Sequence, residues 1–153
     1  MKTNIEAFLA NEPKAAAKIE HAIQDYKHAH NDLVHAIEDL KHAKQDTAHA
    51  IEDFDHLIHD FEHALSDWEA GEKQFEHAKT DLEHATSDKN HAVEDLEHAL
   101  RDINHALKDF KHATRDLTHL GKDLEAVIAL AQEAGVAITL AEAKAHVAMQ
   151  AKA

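Results

Sequence analysis

The sequence predicts an all-α protein built on a long antiparallel heptad-repeat helical hairpin, of coiled-coil or bundle type, with short helices at both termini. Three observations carry this. Histidine and aspartate each recur every seven residues over most of the chain, the period of helices that pack against one another. The 153 residues include only 3 Gly and 1 Pro, too little turn chemistry for an all-β fold. The one faulty heptad, Ala70 to Gln74, lies midway along the repeat.

The N-terminal segment, residues 1–20, reads as short helices, with Pro13 at a helix start after Asn11, where a proline's missing N–H costs nothing. Its apolar stretch is short and follows a single lysine, unlike a signal peptide, so a cytoplasmic location is expected. No apolar run approaches the ~20 residues of a membrane-crossing helix.

Residues 21–120 hold the repeat. Histidine stands at His21, His28, His35, His42, His49, His56 and His63, is absent at Ala70, and resumes in phase at His77, His84, His91, His98, His105, His112 and His119. Aspartate keeps step at Asp25, Asp32, Asp39, Asp46, Asp53, Asp60 and Asp67, gives way to Gln74, and resumes at Asp81, Asp88, Asp95, Asp102, Asp109, Asp116 and Asp123. Large apolar residues such as Leu33, Phe54, Phe61, Trp68, Phe75 and Phe110 occupy heptad position a, and alanine fills most d positions, as at Ala29, Ala36, Ala85 and Ala99. Position e is often apolar as well (Ile37, Ile51, Ile58, Leu100, Leu107). Positions a, d and e together make a core stripe about 100° wide, and alanine at d lets helix backbones approach closely. Thr47 and Lys89 interrupt position a. Aspartate falls at g and histidine at c, spaced alternately three and four residues apart, so they are neighbours along one helix face.

A continuous helix over this repeat would be a rod of about 150 Å. The central fault and Gly71, a helix-weakening residue, favour a hairpin with its tip near 70–74. Folding there pairs His63 with His77, His56 with His84, and so on to His21 with His119. In an antiparallel pair g faces g′, so both Asp/His ladders lie on one side. Two helices alone cannot cover their apolar stripe, so a homo-oligomer is expected. In the C-terminal segment, residues 121–153, an apolar helix over 122–134 should stop at Gly135. Thr139 and Glu142 form a capping box that opens a last helix.

The termini carry a resemblance. Ile5 to Ala10 (IEAFLA) with Glu12-Pro13, and Leu124 to Ala145 (LEAVIALAQEAGVAITLAEAKA), resemble the two halves of the nif-associated leader-peptide domain. The resemblance implies a small helical domain split by a long insertion that returns to its start, which suits a hairpin. It implies no activity.

Composition limits function. Asp and Glu number 30 against 16 Lys and Arg, for a net charge of −14, which repels phosphate backbones and argues against nucleic-acid or anionic-membrane partners. With no cysteine, thiolate chemistry is excluded. The 17 histidines, protonated, would make the net charge slightly positive. Imidazole and carboxylate are ligands for borderline divalent metals: Zn2+ first, then Ni2+, Co2+, Cu2+ or Fe2+. Histidines seven apart on one helix are separated by about 10.5 Å, so a second helix must complete a site, as in a set such as His56, Asp60, Asp81 and His84. The expectation is a ladder of like sites for binding, storing or buffering several ions. No enzyme is expected, since catalysis needs one tuned position. The alternative is a metal-free structural coiled coil whose ladder responds to pH through histidine protonation. His30, His59 and His146 stand off the ladder and are expected to face solvent, and Trp68 and Phe75 to pack at the hairpin end.

Overall fold

The structure, a computed structural model, describes residues 2–71 and 74–153. Among them are four helices and no strand: α1 (Asn4–Asn11), α2 (Pro13–Ala70), α3 (Phe75–Glu133) and α4 (Leu140–Lys152). The two long helices pack against each other as a hairpin. No helix among the described residues is long and apolar enough to cross a membrane. The chain divides into two compact units, residues 1–36 with 107–153, and residues 37–106.

In the first unit, both ends of the chain fold into one core. Ile5 and Phe8 of α1, Ile19 and Ala22 of α2, Leu124, Val127 and Ala131 of α3, and Ala143 and Val147 of α4 belong to a single buried cluster. Pro13 is the first residue of α2, and the Glu12 carbonyl accepts from Ala16 N–H at 3.0 Å to start that helix. α3 runs without a break through the 122–134 segment, so the C-terminal arm extends past the repeat instead of starting a new helix. It ends as expected. Gly135 has φ 72°, a left-handed conformation that costs glycine little. The Val136 N–H reaches Ala131 O at 2.8 Å and the Gly135 N–H reaches Gln132 O at 3.1 Å, the paired bonds of a Schellman cap. The expected capping box opens α4: Thr139 accepts from Glu142 N–H at 3.2 Å, and Glu142 accepts from Thr139 N–H at 3.0 Å. His146, expected to face solvent, is instead buried at 8% exposure, because α4 turns that side toward the core that holds Ala143 and Val147.

In the second unit the turn falls at the faulty heptad. Glu72 and Lys73 of that heptad lie outside the described residues. Gly71 has φ 105°, and its N–H donates to Trp68 O at 3.3 Å while its carbonyl accepts from Gln74 N–H at 3.0 Å. The Trp68 and Phe75 rings pack across the turn with centroids 5.9 Å apart. The turn therefore follows Ala70 rather than centring on it.

The expected core stripe is split. The d alanines are buried in both units, while most large a and e side chains remain partly exposed. Alanine draws the two backbones together along a narrow seam, and larger residues from both arms overhang it on one flank. Positions c and g lie on the other flank. The ladder aspartates between Asp32 and Asp116 are half-buried beside the seam and the ladder histidines are exposed beyond them. Thr47, at an interrupted a position, donates its hydroxyl to Ala43 O at 2.7 Å.

Candidate metal centre

The strongest cluster of ligand-type side chains lies in the first unit, where the ladder meets the core. Asp25 and Asp123 are the first and last ladder aspartates, and both are buried, at 7% exposure. Ile23 and Tyr26, which flank Asp25 on α2, pack on the core cluster, and Leu124 follows Asp123 inside it. The core therefore withdraws these two carboxylates from water, while the intervening ones stay half-exposed.

Facing side chains complete the cluster. His21 Nδ1 donates to Asp123 Oδ2 at 2.6 Å and lies 3.4 Å from Asp25 Oδ2. His21 therefore meets Asp123, about one helical turn beyond the His119 that symmetric folding would place opposite it. Histidine therefore faces aspartate across this pair of helices rather than histidine. Lys18 Nζ holds the other Asp123 oxygen, Oδ1, at 3.1 Å. Asp25 Oδ2 is buried and has no hydrogen-bond partner.

Among the described residues, two groups bring three ligand atoms within 4.8 Å of one another: His21, Asp25 and Asp123, and Asp25, Asp116 and His119. Asp25 is common to both. Four of the predicted ladder ligands, His21, Asp116, His119 and Asp123, thus converge on a fifth, the buried carboxylate of Asp25. The set His56, Asp60, Asp81 and His84 is not gathered in this way. One layer further along the first unit, His28 and Asp32 of α2 line the same groove as His112 and Asp116 of α3, with Asn31 and Arg115 beside them. There the two ladders share one side of the pair.

The electrostatics follow from these contacts. The hydrogen bond to Asp123, then the charges of Asp25 and Asp123, raise the His21 imidazole above its ordinary value. Burial pushes the Asp123 carboxyl up, but hydrogen bonds and charge from His21 and Lys18 outweigh it and hold the group below its ordinary value.

Lys18 is the member of this constellation that ladder spacing does not reveal. It occupies the g position one heptad before Asp25, and that reversal of charge is its only signal. Of the histidines off the ladder, His30 and His59 are exposed as expected, and the His59 ring lies tilted against His63 with centroids 4.2 Å apart. Comparison with protein-family models, with curated proteins and with solved structures finds no match to the chain.

Proposed function

We propose that this protein binds several divalent transition-metal ions, zinc before the others, through Asp/His ladders on paired helices, and stores or buffers them. The Asp25 cluster is the first site to fill. The observation that carries this reading is Asp25 Oδ2, a buried carboxylate oxygen without a hydrogen-bond partner, gathered with two carboxylates and two imidazoles of the facing groups. A buried carboxylate oxygen without a hydrogen bond is costly, and the nearest cationic group, His21 Nδ1, lies 3.4 Å away. A cation would bond this oxygen more closely than His21 does, and the mix of nitrogen and oxygen ligands suits zinc. Cation binding would also relieve repulsion among the aligned aspartates and so stabilise the fold.

Native mass spectrometry of the full chain titrated with zinc tests the reading. Several ions per chain are expected, and Asp25→Asn should lose the tightest. None or one bound, or an unchanged first step in the variant, would overturn the ladder.

A second reading has its own observation. The 2.6 Å His21–Asp123 bond joins the helices without a metal, as a hydrogen-bonded zipper would. On that reading chelator leaves melting unchanged.

A further inference from the structure

The hairpin of residues 37–106 leaves one long apolar face uncovered. Its seam buries alanines, and large side chains from both arms overhang it. Ile51 is 57% exposed, Trp68 64% and Leu100 60%. The arms present these residues on one side: Trp68 and Phe75 are in ring contact, and Ile103 lines the same shallow groove as Leu40 and Ile51. The exposed apolar area is on the order of 1,000 Å², well above a monomer's usual patch and enough for one side of a stable interface.

The rim indicates what covers it. On the α2 edge, exposed Lys41 and Lys44 lie away from the turn, whereas Asp55, Glu62 and Glu69 lead toward it. The α3 edge is mixed, with Glu76, Lys79 and Glu83 near the turn and Glu97 away from it, so the charge gradient belongs to α2. Bulk follows the same direction, with Phe61 and Trp68 toward the turn and Leu40 and Thr47 away from it. A second copy laid turn on turn would set the acidic end of each α2 edge beside another turn whose one exposed cation among these edge residues is Lys79. Reversed, it sets Lys41 and Lys44 beside Glu62 and Glu69 of the other chain, and large residues against smaller ones. A second copy also presents the same heptad spacing, which interlocking knobs and holes require.

We infer that two copies associate through these faces in antiparallel alignment, and that residues 37–106 of each chain contribute two helices to a four-helix bundle. The inference does not depend on metal. Sedimentation of the full chain in chelator should give about twice the 17.1 kDa chain mass. Ile51→Ser with Leu100→Ser should weaken the dimer on the order of 100-fold while circular dichroism still reports helix. Because the chain has no cysteine, single replacements report alignment. Under oxidation, Glu69→Cys should cross-link to Lys41→Cys in a mixture and not to itself. A monomer overturns the inference, including one that binds neutral phospholipid vesicles through this face. Self-linking of Glu69→Cys overturns the antiparallel alignment.

Discussion

Replacing Asp25 by asparagine should act in opposite directions with and without metal. Asp25 Oδ2 is buried without a hydrogen bond, with His21 Nδ1 3.4 Å away, and carboxylates of Asp116 and Asp123 stand in its two groups. Asparagine keeps the shape, removes the like charge and adds an amide donor that can serve those neighbours. An unsatisfied buried group costs about 1–3 kcal/mol, so in chelator Asp25→Asn should be more stable than the parent chain by about 1–2 kcal/mol. For a chain of this size that is roughly 3–6 °C in melting temperature. With zinc the order reverses. At 100 times the dissociation constant a single site contributes about 2.7 kcal/mol, and the variant forfeits most of it. Thermal melts followed by circular dichroism, in chelator and in zinc, measure both effects. If the variant is less stable than the parent in chelator, or gains as much from zinc as the parent does, Asp25 is a structural carboxylate and the reasoning fails.

Three further outcomes follow from the same geometry. Lys18→Gln removes a cation that sits 3.1 Å from Asp123 Oδ1, so zinc affinity in a chelator-competition titration should rise about three- to tenfold; an unchanged affinity would show that Asp123 takes no part. In metal-free protein the His21–Asp123 pair should stabilise most between about pH 4 and 6.5, the ordinary values of the two groups. The raised His21 value makes its contribution full below its unfolded value and lost as pH climbs through the folded one. The lowered Asp123 value makes its contribution full above its unfolded value and lost as pH falls through the folded one. Melts of His21→Gln against the parent across pH should therefore differ most in that window and converge above it; a gap that widens with alkalinity would contradict the assignment. Gly135→Ala places a side chain at φ 72° and should destabilise the first unit by about 1 kcal/mol in a denaturant titration, whereas a neutral result would mean the cap relaxes.

The hairpin was legible because a seven-residue period determines helices and a central fault with Gly71 determines where they fold. The alanine seam was legible for the same reason. Its consequence for the a and e residues was not, since a period defines a stripe but not how far the helices rotate about it. The register of the first unit was missed by about one turn because a seven-residue period sets the spacing along each helix but not its offset against the other. Asp25 resembles every other ladder aspartate in local sequence. Only its position against a core assembled from both ends of the chain sets it apart, and the same core buries His146. Lys18 carried a signal, as a basic residue in an acidic series, that a search for repeated ligands passes over.

Anomalous diffraction at the zinc edge, from crystals of the full chain grown with zinc, would locate the ions themselves. An ordered zinc bonded to an Asp25 oxygen at about 2.0–2.2 Å, with imidazole nitrogen from the facing groups at about 2.0–2.1 Å, is the expected result. Zinc scattered over single exposed histidines, with Asp25 still bare, would contradict it.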